Sequence, residues 1–219
     1  MNKIPIYFIP GMCSNSAIFE RVHLNPDLFD CYYLEWLPTN PSESLNNYVD
    51  RMAKEIRHEN PVLIGVSFGG IIAQELSKKI IVRQTIIISS ARSNKEYPPL
   101  YKFAKYTGAY KLLPTGNITK LIKQFVRITT NSSKQDRMEL YDRYITIRDK
   151  EYIDWCIREI VNWTPSADFT NTIQIQGTKD ELFPFKYVKN AIPIPKGTHT
   201  MIFLKYKWFN ENLEKLILK

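Results

Sequence analysis

Short apolar runs alternate with stretches of helical periodicity along most of this chain. Apolar residues recur at helical spacing in 45–56, 71–79 and 209–218, and Ser42 or Ser44 can cap the first of these helices. Strands are predicted for the apolar runs at 4–9, 31–36, 61–64, 85–89, 172–176 and 191–194. Such alternation is typical of an α/β protein, in which a mostly parallel central sheet is flanked by helices.

The region 92–165 interrupts the alternation. It contains no good strand, and its apolar residues recur at helical spacing in 118–126, behind the capping residue Asn117, and in 153–161. We expect an all-helical lid inserted into one compact domain that spans residues 1–219. A chain of 219 residues is long enough to bury the core of one such domain.

Composition favours a soluble globular protein, because 44% of the residues are hydrophobic and 24% are charged. No apolar run approaches the roughly 18–20 residues that a membrane span needs. The apolar start at 4–9 fits a first strand better than a signal peptide, because Pro10-Gly11 ends it early. Cys13, Cys31 and Cys156 have neither the number nor the spacing of a disulfide or zinc framework. We therefore expect reduced thiols and a cytoplasmic protein.

The net charge of +8 raises the question of a nucleic-acid partner. The sequence contains no zinc finger, no RNA-binding aromatic motif and no basic helix followed by a zipper. Since charge alone does not make a nucleic-acid site, we expect no nucleic acid as partner.

The segment Gly65-Val66-Ser67-Phe68-Gly69 matches the pattern Gly-x-Ser-x-Gly between a predicted strand and a predicted helix. This pattern places a serine on a sharp turn where strand and helix pass too closely for side chains at the flanking positions. The serine hydroxyl then lies at a helix N-terminus, where backbone N–H groups favour negative charge. Ser67 is therefore the candidate nucleophile.

A serine nucleophile needs a base, and the base needs a group that orients it. In proteins with this motif the chain order is serine, acid, histidine. Of the three histidines, His23 and His58 precede Ser67, which leaves His199, after the last predicted strand. Asp180 follows the preceding strand and is the first choice of acid. Its alternatives are Glu181 and, as a distant third, Glu96.

At these residues the chain resembles the α/β-hydrolase superfamily, and in particular its small, lidded, carboxylesterase-like serine esterases. The resemblance covers nearly the whole chain and implies a lid after the strand equivalent to the sixth of that fold. It also implies an oxyanion hole formed by the backbone N–H groups of Phe68 and Met12. The departures are Pro10-Gly11, where many relatives have His-Gly, and Thr198, where a glycine often precedes the histidine.

The expected activity is hydrolysis of a small-molecule carboxylic ester or thioester. Ser67, His199 and Asp180 would act as a triad that forms an acyl-enzyme, with no metal or organic cofactor. The alternatives are acyl transfer or lyase chemistry with the same triad, hydrolysis of acyl groups bound to acyl carrier protein, and a non-catalytic ligand-binding role.

The predicted lid is basic and aromatic. Its lysines and arginine form either a solvated outer face or a docking surface for an acidic acyl carrier protein, with Lys120, Lys123 and Arg127 as contacts. Its aromatic residues either line an acyl pocket or seat the lid on the sheet. The stretch 97–134 contains no acidic residue and seven basic ones, Lys102, Lys105, Lys111, Lys120, Lys123, Arg127 and Lys134. The aromatic residues are Tyr97, Tyr101, Phe103, Tyr106, Tyr110, Trp155 and Trp163.

Overall fold

A computed structural model of the protein describes residues 3–115, 143–165 and 171–219. Within these ranges, six strands form one sheet in the order β2-β1-β3-β4-β5-β6. Every neighbouring pair is parallel, which confirms the predicted α/β class. The strands are β1 (Ile4–Ile9), β2 (Phe29–Tyr33), β3 (Val62–Val66), β4 (Gln84–Ile88), β5 (Thr172–Gly177) and β6 (Ile192–Ile194).

Helices connect the strands and cover both faces of the sheet. Of the two serines predicted to cap the first helix, Ser44 is the cap, since its side chain accepts a hydrogen bond from Asn47 N. The α-helices described are α1 (Leu45–Ala53), α2 (Phe68–Leu76), α3 (Pro99–Thr107), α4 (Lys150–Asn162), α5 (Met201–Leu204) and α6 (Tyr206–Ile217). Short 3-10 helices occupy Ser16–Phe19, Asn94–Glu96, Ala109–Leu112 and Phe185–Tyr187.

The predicted start of β2 was wrong for a physical reason. β2 begins at Phe29 rather than at 31, because Asp30 interrupts the apolar run while its backbone pairs with Pro5. As the edge strand, β2 tolerates such a half-buried polar residue. Helix α2 begins at Phe68, because the turn at Ser67 leads directly into the helix, as the Gly-x-Ser-x-Gly pattern predicts.

The core lies on both faces of the sheet, since successive side chains of a strand point to opposite sides. In β1, Tyr7 and Ile9 pack on one face and Ile6 and Phe8 on the other. The first face is covered by residues of α1, α2 and α4, which include Met52, Ile71 and Trp155. The second is covered by α6 and the first 3-10 helix, through Phe19, Phe209 and Leu213.

Between β4 and β5, the described residues 92–115 and 143–165 contribute helices and no strand of the sheet. Helix α4 contains the predicted helical stretch 153–161. The predicted helix at 118–126 lies outside the described residues, so the bounds of a lid at 92–165 stay a prediction. No described helix is both long enough and apolar enough to cross a membrane.

The closest packing in the sheet occurs where β3 meets α2. A Cβ atom at Gly65 would lie 2.2 Å from the carbonyl oxygen of Gly69. A Cβ atom at Gly69 would lie 2.3 Å from the carbonyl oxygen of Pro10 and 2.4 Å from that of Ile9. Because these neighbours are backbone atoms, they cannot rotate away. The two glycines thus allow α2 to pack directly against β3 and the end of β1.

We predict that Gly69→Ala lowers the free energy of unfolding by about 3 kcal/mol, measured by urea denaturation. Helix propensity alone would raise the free energy of unfolding instead, because alanine is favoured over glycine in helices by ~1 kcal/mol. The control is Gly11→Ala, whose Cβ would meet nothing closer than Ser67 Cβ at 3.4 Å. A Gly69→Ala variant as stable as the control would contradict this account of the packing.

Candidate active site

The carboxyl ends of all six strands meet at one edge of the sheet, because the strands are parallel. The strand order reverses between β1 and β3, and ligand sites in open α/β sheets form at such a reversal. Ser67 follows β3 directly, and the loop that carries Met12 follows β1. Asp180 and His199 follow β5 and β6. Topology therefore brings all the residues singled out in the sequence to one edge, apart from those of the lid.

Ser67 lies on a strained turn. Its φ of 54° and ψ of −120° are unusual for any residue other than glycine and cost roughly 1–3 kcal/mol. Two hydrogen bonds from the neighbouring strand end stabilise this conformation. Ser67 N donates to the carbonyl oxygen of Ile88 at 2.9 Å, and Ser90 Oγ donates to that of Ser67 at 2.7 Å. The hydroxyl is thereby presented at the N-terminus of α2.

The side chains of Ser67, His199 and Asp180 form a continuous hydrogen-bonded chain. His199 Nε2 lies 2.9 Å from Ser67 Oγ. His199 Nδ1 lies 3.1 Å from both carboxylate oxygens of Asp180. His199 and Asp180 are each only 4% exposed, so water competes little for these bonds. With Nδ1 protonated toward Asp180, Nε2 is free to accept the proton of the Ser67 hydroxyl.

Asp180 is held by three donors besides His199. Its Oδ1 accepts hydrogen bonds from the backbone N–H groups of Leu182 and Phe183, both at 2.9 Å. Its Oδ2 accepts one from Gln176 Nε2, also at 2.9 Å. Gln176 is fully buried and also donates to the carbonyl oxygen of Phe183 at 2.7 Å. These bonds fix the carboxylate in the orientation that faces His199.

Sequence reasoning missed Gln176. A glutamine inside an apolar strand is a signal that could have found it, because buried polar side chains need partners.

The other candidate acids and His58 interact with other partners. Glu181 is exposed, and its carboxylate interacts with the backbone of His199. Glu96 is buried, but its carboxylate accepts bonds from Arg92 N and Gln174 Nε2. His58 Nδ1 is bonded to the Tyr7 hydroxyl. Of the acids weighed, Asp180 is thus the one that is hydrogen-bonded to the His199 ring.

The two backbone amides expected to form an oxyanion hole belong to Met12 and Phe68. Neither N–H donates to another residue in the part of the chain that the structure describes, which leaves both available to a ligand. The loop that carries Met12 is fixed at its start, because the carbonyl oxygen of Gly11 accepts bonds from Ser14 N, Ser14 Oγ and Trp36 Nε1. The Trp36 ring also stacks on Phe68 at 5.4 Å. Trp36 therefore contacts both segments that carry the amides.

A cavity of about 470 Å³ opens onto Ser67 and His199. No lysine, arginine, aspartate or glutamate is among the described residues that line it. Burial raises the pKa of the Tyr101 hydroxyl, and the charge of Asp180 raises it further, so this phenol is neutral. Most of the remaining wall is apolar, with Leu100, Phe103, Ala104, Ile145, Ile157, Ile160, Leu182, Phe183, Ile202 and Phe203.

The sequence left two roles open for the aromatic residues of the predicted lid, which were to line an acyl pocket or to seat the lid on the sheet. Residues of both kinds occur in the structure. Tyr101, Phe103 and Tyr110 line the cavity. Trp155 and Trp163 are buried in the core, where their indole N–H groups donate to Glu43 O and Glu75 Oε1. Tyr97 is buried and donates to the carbonyl oxygen of Ile160. Tyr106 is 92% exposed and does neither. The predicted contacts Lys120, Lys123 and Arg127 lie outside the described residues.

No group of three or more metal-ligating side chains occurs within residues 3–115, 143–165 and 171–219. The site thus consists of a serine, a histidine and an aspartate in hydrogen-bonded series, two backbone amides and an apolar cavity. Such a set can transfer an acyl group through a covalent serine intermediate.

Solved structures with the same architecture are esterases, lipases and related enzymes of low sequence identity. An esterase from Exiguobacterium antarcticum superposes with a TM-score of 0.77 at 13% identity, covering 100% of this chain and 93% of that one. A bromoperoxidase from Bacillus anthracis superposes with a TM-score of 0.75 at 15% identity, and the match covers 100% of this chain and 93% of that one. An enol-lactonase from Burkholderia xenovorans superposes with a TM-score of 0.74 at 10% identity, and the match covers 100% of this chain and 93% of that one. The chain therefore has the α/β-hydrolase fold.

Residues 20–150 match the model of an uncharacterised protein family, UPF0227. Because this match spans more than half of the chain, the protein belongs to that family. The matched range includes Ser67 and ends before Asp180 and His199. No curated protein sequence matches the chain.

We predict that Asp180→Asn lowers the free energy of unfolding by about 2 kcal/mol, measured by urea denaturation. An amide cannot accept all the bonds that the two carboxylate oxygens accept, so its NH₂ group would face a buried donor. The matched control Glu181→Gln alters an exposed side chain and should change stability by less than about 0.5 kcal/mol. Equal losses in the two variants would show that Asp180 does not carry the buried network.

Proposed function

We propose that this protein is a serine hydrolase that cleaves carboxylic esters or thioesters with an uncharged acyl group. The observation that carries the proposal is the hydrogen-bonded series from Ser67 Oγ through His199 to Asp180, with contacts of 2.9 and 3.1 Å. The fold supports it as well, since esterases and lipases are among the solved structures that share it. The apolar cavity supports an uncharged acyl group as the bound moiety.

In the first half of the reaction, Ser67 Oγ attacks the carbonyl carbon of the substrate while its proton passes to His199 Nε2. The carbonyl oxygen becomes an oxyanion, which the N–H groups of Met12 and Phe68 stabilise. The intermediate then collapses, the bond to the leaving oxygen or sulfur breaks, and His199 returns the proton to the leaving group. The product is an acyl ester of Ser67.

In the second half, a water molecule replaces the leaving group. His199 removes a proton from the water, whose oxygen attacks the acyl carbon, and then protonates Ser67 Oγ as the ester bond breaks. A carboxylic acid is released and the enzyme returns to its starting state. The Asp180 carboxylate stabilises the imidazolium that forms in each half.

We predict that a fluorophosphonate probe labels Ser67, because a serine beside a base and two free amides attacks phosphorus readily. Labelling is measured by intact-protein mass and peptide mapping. Ser67→Ala should abolish it, and His199→Ala should slow it by about 10³-fold.

The control for that experiment is Ser90→Ala. Ser90 Oγ is bonded to the backbone carbonyl of Ser67 and has no histidine beside it among the described residues. This variant should remain labelled at Ser67. Labelling that persists in Ser67→Ala would place the nucleophile elsewhere.

We predict that kcat/KM for p-nitrophenyl esters rises with acyl length, by up to about 4-fold per methylene buried. The rise should end once the acyl chain fills the cavity of about 470 Å³. Ala104→Phe adds a ring to the cavity wall. It should lower kcat/KM for the longest accepted ester by at least about 10-fold and leave the acetate ester nearly unchanged. Activity that falls with every added methylene would contradict an acyl site in this cavity.

A further inference from the structure

A second groove lies beside the catalytic cavity, on the outer side of α3. The two spaces share Tyr101 and Val161 as lining residues, so they adjoin each other. The groove has a volume of about 560 Å³. Unlike the catalytic cavity, it has charged side chains among its described lining residues. Three lysines and Asn94 contribute to it, together with tyrosine rings.

The three lysines of the groove are Lys95, Lys102 and Lys105. Lys102 and Lys105 are three positions apart on α3, on neighbouring positions of its surface. None of the three is paired with a carboxylate of a described residue. The groove thus brings together three lysines that have no carboxylate partner among the described residues.

Two of the ammonium groups are held in place by neutral acceptors. Lys105 Nζ donates to the carbonyl oxygen of Asn162 at 3.1 Å and to Thr164 Oγ1 at 3.0 Å. Lys102 Nζ donates to the carbonyl oxygen of Lys95 at 3.3 Å. Because an ammonium group has three N–H donors, each of these lysines retains at least one for a ligand. Glu96, the nearest acid in sequence, is buried and accepts hydrogen bonds from Arg92 N and Gln174 Nε2 rather than from a lysine of the groove.

From this arrangement we infer that the groove binds a phosphate group on the leaving portion of the substrate, while the acyl portion occupies the apolar cavity. The inference rests on the proposed function, because it assigns a substrate class to the same site. Three lysines supply charge for a phosphate dianion. The shared wall at Tyr101 and Val161 brings that charge next to the catalytic cavity.

The experiment compares two thioesters that differ only in the phosphate, S-octanoyl pantetheine and S-octanoyl 4′-phosphopantetheine. The wild-type protein should cleave the phosphorylated thioester with a kcat/KM about 10-fold higher at low salt. The ratio should shrink as salt is added, because exposed charges are screened. Replacing Lys95, Lys102 and Lys105 together by glutamine should bring the ratio close to one and leave the neutral thioester unaffected.

The matched control is Lys111→Gln, which removes a lysine from the same basic stretch that lines neither space. It should keep the wild-type ratio. A wild-type ratio near one, or a ratio unchanged in the triple variant, would overturn the inference. Equal losses on both thioesters in the triple variant would also overturn it, because the lysines would then support the fold rather than the phosphate.

A binding measurement separates this inference from the proposed function. In Ser67→Ala, 4′-phosphopantetheine should bind more tightly than pantetheine by calorimetry, and the triple lysine variant should lose the difference. If that difference is present but the wild-type protein cleaves neither thioester nor any p-nitrophenyl ester, the phosphate site stands and the hydrolase proposal fails. If cleavage occurs without any preference in binding or rate, the phosphate site alone fails.

Discussion

Helix α2 approaches the backbones of β3 and of the end of β1 so closely that no side chain fits at Gly65 or Gly69. Cβ atoms at these two positions would lie 2.2 and 2.3 Å from carbonyl oxygens. The same approach forces the chain to reverse within one residue, which gives Ser67 its positive φ of 54°. Because the neighbour of Gly69 is the end of β1, the serine turn is also packed against the start of the loop that carries Met12. The position of the serine hydroxyl and that of both amides depend on this one contact.

The remaining groups reach Ser67 because the parallel sheet ends all its strands at one edge. Asp180 and His199 leave β5 and β6 and meet beside the serine, where three further donors fix the carboxylate. A strain of roughly 1–3 kcal/mol at Ser67 is small beside the stability of a packed domain, and the hydrogen bonds of Ser67 with Ile88 O and Ser90 Oγ offset part of it. Fixed geometry of this kind needs no reorganisation during a reaction, which is what an acyl-transfer site requires.

The three residues of the hydrogen-bonded series could be predicted from the sequence, whereas some of the contacts that support them could not. A strand, a glycine-flanked serine and a helix occur within a few residues, and chain order restricts the histidine to His199. Trp36 acts on a residue that only folding brings near, as its bond to Gly11 shows, and no local pattern indicates such a contact. β2 was misplaced because an edge strand need not be continuously apolar. The lysine groove depends on how α3 lies beside α4, which periodicity does not specify.

The central claim is that Ser67 forms a covalent bond to the acyl group of an ester. The most direct measurement is the mass of the intact protein after rapid acid quenching of a reaction with p-nitrophenyl octanoate, followed by peptide mapping. The account predicts an added octanoyl group on the peptide that contains Ser67, formed together with a burst of p-nitrophenol and absent in Ser67→Ala. Turnover of the ester with the acyl group on another residue, or undiminished turnover by Ser67→Ala, would contradict it.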